Sequence, residues 1–326
     1  MPLNLEIPWV EKYRPTSFDE IVSQNVAINN LRNFVNSQNI PHMIFTGPAG
    51  TGKTSTAFII AKTLLKGEDY HRNVLELNAS DTVRMEFVRH AIKDFANQNM
   101  IIGEKQLKII ILDEADNIPI QVQQALRRII ERTSSNVKFI LMCNYIERII
   151  DPIISRCAVF RFVNLPKDKI VERLKKILKL EKLSIAREHE EKLFETLFFI
   201  SGGDLRKAIN ILQMSVALDL LKKIDINEIL KISGFLDIES FNILIHEIKE
   251  KNFCNVKKIL DSIENVDSRN FMRQLLDALD QINNNNSDNQ VILKEYFGEI
   301  DFRISQGADE KIQLLALLAE TMNQIK

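Results

Sequence analysis

The chain has 326 residues, 45% hydrophobic and 27% charged, with a formal net charge of −1, so it has length for two or three domains and too much apolar content for a disordered chain. Three scattered cysteines (Cys143, Cys157, Cys254) exclude a disulfide framework and a thiolate zinc site, and the five histidines form no i, i+4 pair of the kind that holds a transition metal. With no long apolar span and no secretory leader, the reading is a protein of a reducing intracellular compartment, with no membrane partner.

Residues 9–15 (Trp9-Val10-Glu11-Lys12-Tyr13-Arg14-Pro15) mix aromatic, basic and proline residues near a chain end, a composition that would anchor a terminus against a core. A helix is predicted over 24–38, with Ala27, Ile28, Leu31, Phe34 and Val35 on one face. From Met43 onward, apolar runs alternate with helical patterns. The runs are Met43–Phe45, Val74–Leu77, Ile109–Leu112, Phe139–Met142 and Val159–Val163, and between them fall Thr54–Leu65, Thr82–Phe95 and Ile120–Arg132. This alternation predicts an α/β fold, a parallel sheet with helices on both faces and its ligand at the carboxyl ends of the strands. After Pro166 the pattern is purely helical. Ile170, Val171, Leu174, Ile177 and Leu178 mark one helix, and Asp204 after Ser201-Gly202-Gly203 is a candidate N-cap for another. A break at Ser233-Gly234 opens a second helical stretch, whose Asn283–Asn286 run reads as a polar loop and whose last helix is expected to bury Ile312, Leu315, Ala319 and Met322. The chemistry-free division is thus 1–165, 166–234 and 235–326. Residues 235–326 carry ten Lys/Arg against sixteen Asp/Glu, which leaves +5 for residues 1–234. A polyanion would meet the first two thirds.

The stretch Phe45–Ser55 contains G-x-x-x-x-G-K-[ST] as Gly47-Pro48-Ala49-Gly50-Thr51-Gly52-Lys53-Thr54, between a predicted strand and a predicted helix. That context predicts a phosphate loop: backbone N–H groups from Gly47 through Ser55 turned inward, Lys53 on the β- and γ-phosphates, and the Thr54 hydroxyl on Mg²⁺. Downstream, Ile109–Leu112 runs into Asp113-Glu114-Ala115-Asp116. Asp113 is the expected Mg²⁺ partner and Glu114 the residue that polarises a water, which favours hydrolysis over phosphoryl transfer to a metabolite. Asn144 ends another buried strand and could orient that water or simply make a turn. Arg156 lies in a short loop and Arg206 on a helix. Each could be solvated, or could meet a γ-phosphate.

Taken in order, W-V-E-K-Y-R-P (Trp9–Pro15), the phosphate loop, L-E-L-N-A-S-D (Leu75–Asp81), D-E-A-D (Asp113–Asp116), Q-Q-A-L-R-R (Gln123–Arg128), Cys143–Tyr145, S-R-C (Ser155–Cys157) and Gly202–Arg206 resemble the small subunits of replication factor C, clamp loaders of the AAA+ ATPases. Gly298–Arg303 and Gln313–Leu317 are similar to the archaeal form. The resemblance implies an AAA+ P-loop domain (1–165), a helical lid (166–234) and a helical collar (235–326). It implies Val10 and Arg14 in an ATP pocket, Asn144 and Arg206 as the two nucleotide sensors, and Arg156 as a finger that completes a neighbouring subunit's site. It also implies a hetero-pentamer with a large subunit, a ring-shaped sliding clamp and primer–template DNA as partners, in the cytoplasm of an archaeon or the nucleus of a eukaryote. DNA would meet the helix from Thr82 through Arg84, Arg89 and Lys93. Departures from the family pattern stand at Val83 and Arg84, where an arginine and a glycine are usual, at Ala49, where a proline is usual, and at Asn117-Ile118-Pro119. A DNA helicase or remodeller of the same class, or a scaffold subunit with little hydrolysis, are the alternatives. Intact Lys53, Asp113, Glu114 and Arg206 argue against the scaffold.

Overall fold

The computed structural model describes residues 7–79, 85–97, 107–221, 225–262, 266–282 and 287–325. The five apolar runs become strands β1 (His42–Thr46), β2 (Val74–Asn78), β3 (Lys108–Asp113), β4 (Val137–Cys143) and β5 (Cys157–Arg161). They form one parallel sheet in the order β2-β3-β4-β1-β5. Between and beside them lie α1 (Trp9–Lys12), α2 (Asn25–Asn36), α3 (Lys53–Leu64), α4 (Glu68–Asn73), α5 (Met85–Asn97), α6 (Ile120–Thr133), α7 (Asp151–Ile154) and α8 (Lys167–Leu180).

The three central strands, β3, β4 and β1, are almost continuously buried because both faces are covered, while the edge strands β2 and β5 are partly exposed. Met43 and Phe45 of β1, Ile109 and Ile111 of β3, and Ile140 and Met142 of β4 join one core with Leu31 of α2 and Ala57 and Ile60 of α3. The alternate residues Ile44, Ile110, Leu112, Phe139 and Leu141 join a second core with Ile92 of α5 and Leu126 and Ile130 of α6. This is the parallel α/β arrangement expected from the sequence.

Two elements depart from the sequence expectations. The last strand spans Cys157–Arg161 rather than 159–163. Its pairing with β1 runs from His42 opposite Cys157 to Thr46 opposite Arg161. Beyond that point the side-chain amide of Gln24 takes over, accepting from Val163 N–H at 3.1 Å and donating to Val163 O at 2.7 Å. Helix α4 has no apolar period in its Glu-Asp-Tyr-His-Arg-Asn sequence and was not expected. Of the helix expected over Thr82–Phe95, the structure describes Met85 onward, and Thr82, Val83 and Arg84 lie outside the described residues.

By compactness the chain groups as residues 1–184 with 201–210, and 185–200 with 211–326. The second unit is helical: α9 (Arg187–Ser201), the latter part of α10 (Leu205–Ala217), α11 (Ile226–Ile232), α12 (Ile238–Lys249), α13 (Phe253–Ser262), α14 (Ser268–Ile282), α15 (Ser287–Ser305) and α16 (Glu310–Gln324). Asp225, Asp237 and Asp309 cap α11, α12 and α16 with their carboxylates, the role short acidic side chains take at helix starts. Its core joins Leu244, Val256, Phe271, Leu275, Ile300 and Leu317. The buried stripe of α16 is Leu314, Leu317, Leu318, Thr321 and Met322, and Ile312 is exposed. Of the expected stripe, Met322 is therefore buried and Ile312 is not. In this leucine-rich helix two faces look apolar, and the one chosen bonds Thr321 Oγ1 internally to Leu317 O. Asn283–Asn286 lie outside the described residues. Among the described residues no helix is long and apolar enough to cross a membrane.

His42 at the start of β1 supplies a pH test of this core. Its Nδ1 accepts the Phe139 N–H at 3.2 Å and its Nε2 is buried without a partner, so the ring is held neutral. Burial, with the Lys138 charge adding, pushes its pKa down to about 4. The unfolded chain, with a histidine pKa near ~6.5, takes up this proton first as pH falls. The stability tied to the neutral ring is thus complete above pH ~6.5 and is lost as pH drops toward ~4. Denaturant unfolding at a series of pH values should show this loss, and His42→Phe should flatten that part of the profile.

Candidate active site

The loop between β1 and α3 is shaped by glycine. Gly47 has φ +140°, and a Cβ there would sit 2.0 Å from the Phe162 carbonyl oxygen. Gly50 has φ +69°, and its Cβ would lie 1.7 Å from Asp204 Oδ1. Any side chain at either place is strained and blocked. The turn delivers the chain into α3, which starts at Lys53 and points its unpaired first-turn N–H groups at the loop's concave side. Lys53 is only 8% exposed. Its Nζ donates to Gly47 O at 2.6 Å, Pro48 O at 2.8 Å and Asn144 Oδ1 at 3.0 Å. Burial lowers its pKa, opposed mainly by the Asp113 carboxylate.

Strand register brings the other groups to the same edge. Thr46 pairs with Cys143, so Gly47 and Asn144 leave neighbouring strands side by side. Leu112 pairs with Leu141, so Asp113 emerges next to them. Thr54 Oγ1 donates to Asp113 Oδ2 at 3.1 Å. Glu114 follows in the left-handed region (φ +53°), a conformation a non-glycine residue adopts at some cost. Its N–H donates to Asp113 Oδ1 at 2.9 Å and its Oε2 accepts from Asn117 Nδ2 at 3.2 Å. Asp116 was not among the expected site residues. It is buried, accepts the N–H groups of Asn144 (3.1 Å) and Tyr145 (3.2 Å), and leaves its Oδ1 without a partner. This carboxylate fixes the Asn144 backbone to the D-E-A-D turn. The signal was the fourth letter of that motif.

A cleft of about 210 Å³ collects Val10, Arg14, Ala49 through Ser55, Asp113, Glu114, Asn144 and Arg206. Gly47 and Pro48 contribute their carbonyls to Lys53 instead. The 9–15 segment both anchors and lines the site: Trp9 is buried, while Val10 and Arg14 face the cleft. The segment is held by Arg173 of α8, also unforeseen, whose Nη2 donates to Tyr13 O at 2.6 Å. Asp204 caps α10 as expected, accepting from the N–H groups of Arg206 (2.8 Å) and Lys207 (3.1 Å). Arg156 is not among the cleft residues. It is partly exposed and pairs with Glu131 at 2.6 Å. Lys93 is exposed on α5, Arg89 lies on the same helix, and Arg84 falls outside the described residues, as does Val83. A nucleoside triphosphate fits what is present: a glycine cradle that a Cβ would fill, a buried ammonium, a helix N-terminus and apolar walls from Val10, Ile21 and Ile209. Thr54 and Asp113 offer the hard oxygen donors that suit Mg²⁺ bound together with phosphates.

A parallel α/β sheet with this loop and an Asp-Glu pair at its edge is the nucleotide-binding unit of an AAA ATPase. The family model for the ATPase family associated with various cellular activities (AAA) matches residues 43–165, and that for the replication factor C C-terminal domain matches 239–320. The replication factor C small subunit of Archaeoglobus fulgidus is 42% identical over 319 residues, 97% of each chain. That of Sulfurisphaera tokodaii is 40% identical over 328 residues, 98% of this chain and 96% of its own. The chain belongs to the replication factor C small-subunit family, and it is an ATPase. Among solved structures, the RuvB Holliday junction branch migration motor of Thermotoga maritima covers 82% of this chain and 91% of its own, with TM-score 0.53 and 20% identity. At that identity the likeness concerns the fold alone.

Lys53→Ala should abolish nucleotide binding, because it removes a buried cation aimed at the loop and leaves two carbonyls and Asn144 Oδ1 without their donor. Equilibrium titration with ATP checks this, and unchanged affinity would remove the loop from the site.

Proposed function

We propose that the chain is a small subunit of a clamp loader, which uses ATP to place a ring-shaped sliding clamp on primed DNA during replication. The observation that carries this is the Thr54–Asp113 contact with Glu114 directly beside it, at the edge shared with Lys53 and Asn144, in a chain whose relatives over nearly its whole length are replication factor C small subunits. A kinase excludes water, whereas this edge carries a carboxylate to recruit it.

The residues divide the work as follows. The loop amides and Lys53 bind the triphosphate tail. Glu114, its charge held at the sheet edge, orients a water and takes up its proton. Asn144 and Arg206 meet the γ-phosphate from two sides and register its loss. Thr54 and Asp113 would hold Mg²⁺, which when bound neutralises phosphate charge. Arg156, exposed and outside its own cleft, serves a neighbouring subunit's nucleotide. Residues 166–234 act as the lid through Arg206, and 235–326 as the collar through which a large subunit and further small subunits join in a hetero-pentamer. Primer–template DNA is met by the net-positive residues 1–234, along the helix that carries Arg89 and Lys93, with Arg84 just before it. Such backbone contacts select no sequence.

The deciding experiment is ATP turnover of the chain assembled with its large subunit, with and without clamp and primed DNA. The proposal requires the rate to rise most when both are present. Stimulation by DNA with no response to the clamp would make the chain a DNA-acting motor of another kind.

Two variants refine this. Glu114→Gln keeps the side chain's shape and loses the base, so ATP should bind and persist while turnover falls roughly 10²–10⁴-fold. Wild-type turnover would make Glu114 a bystander. Neutralising Arg89 and Lys93 should weaken DNA binding and reduce the salt slope of log K by about one unit per lost phosphate contact. A slope that does not move would place the DNA contact elsewhere.

A further inference from the structure

Arg156 does not float free. Its Nη1 donates to Pro152 O at 2.7 Å and to Ser155 Oγ at 3.3 Å, and its Nη2 meets Glu131 Oε1 at 2.6 Å. The same carboxylate oxygen accepts Arg127 Nε at 3.0 Å from one turn earlier on α6. A guanidinium has five N–H groups. Nη1 donates to two of these partners and Nη2 is held against the Glu131 carboxylate as an ion pair, which leaves the Nε–H for a phosphate oxygen. The side chain is 36% exposed. One carboxylate between two guanidiniums leaves the cluster net positive, so it still attracts an anion. Without that carboxylate, Arg127 and Arg156 would repel each other and the arginine would leave this position.

We propose that Glu131 is the positioning residue for Arg156: it holds the guanidinium against α6 with its Nε–H free, so the arginine reaches a neighbouring subunit's nucleotide already ordered. This rests on the reading of Arg156 as a finger in trans. An arginine side chain gives up considerable rotamer freedom when it docks. Glu131 moves that loss to folding, before the nucleotide is engaged, and the gain falls on the rate of the chemical step rather than on nucleotide affinity. A surface ion pair adds little to stability, so the readout is turnover.

The test uses the full assembly with clamp and primed DNA, comparing wild type, Glu131→Gln, Glu131→Lys, Arg156→Ala and the double variant Glu131→Gln/Arg156→Ala. Glu131→Gln should lower kcat roughly tenfold with KM unchanged, and with the isolated subunit's ATP affinity unchanged. Glu131→Lys should lower kcat further. The double variant should be no slower than Arg156→Ala alone, since Glu131 acts only through the arginine. If Arg156→Ala loses turnover while Glu131→Gln keeps it or exceeds it, the positioning role is wrong and the finger reading stands. Additive losses in the double variant also overturn the role. Full turnover in Arg156→Ala removes the finger reading and the proposal with it. Should Glu131→Lys fail to assemble, the isosteric Gln variant and the double variant carry the test.

Discussion

A buried ammonium is the constraint on which the first unit depends. An isolated Lys in a protein interior costs several kcal/mol unless acceptors surround it. Lys53 has three: two carbonyls of its own loop and the Asn144 side chain. The first two require the loop to curl back on α3, which Gly47 and Gly50 allow by taking conformations no side chain tolerates at those places. The third requires β4 to lie beside β1, which the sheet order provides. Asp116 then holds the Asn144 backbone from below. Remove the charge and each of these contacts loses its purpose.

Helix α6 links this edge to the far one. Gln123 near its start is fully buried. Its Nε2 donates to Ile118 O and Arg148 O, and its Oε1 accepts the Ile150 N–H. One amide thus fastens the exit of the D-E-A-D turn to the segment that leads through α7 to Arg156. Eight residues further along the same helix, Glu131 takes up that arginine. Helix α6 thus contacts both the turn that follows Asp113 and Glu114 and the arginine the chain would lend to a neighbour.

What was legible in the sequence follows from how strongly burial marks it. The central strands β1, β3 and β4, covered on both faces, are nearly continuous apolar runs, and the edge strands keep enough apolar residues for the order of strands along the chain to be read directly, as could the phosphate loop between strand and helix. The edge strand was placed two residues late because Phe160 and Phe162 alternate with exposed Val159 and Val163, and a side-chain amide, not a strand, pairs with its end. On α16, Ile312 misleads because it is as apolar as the leucines that are buried, while Met322 of the same expected stripe is buried and Leu315 packs against the core. Arg173 could not be foreseen, since an arginine on α8 looks like any solvated cation until the Tyr13 carbonyl is found beside it. The 9–15 segment reads by its composition as an anchor, and only the resemblance pointed to its place beside the cleft.

The most direct measurement of the account is a mixing experiment on assembled complexes. Subunits carrying Lys53→Ala keep the arginine and lose the loop, while subunits carrying Arg156→Ala keep the loop and lose the arginine. Each alone should assemble into a complex with almost no ATP turnover. Co-assembled, they should recover part of it, from junctions where an intact loop faces an intact arginine. A mixture no faster than either parent, with co-assembly verified, would contradict the account, as would a drop in ATP affinity of monomeric Arg156→Ala.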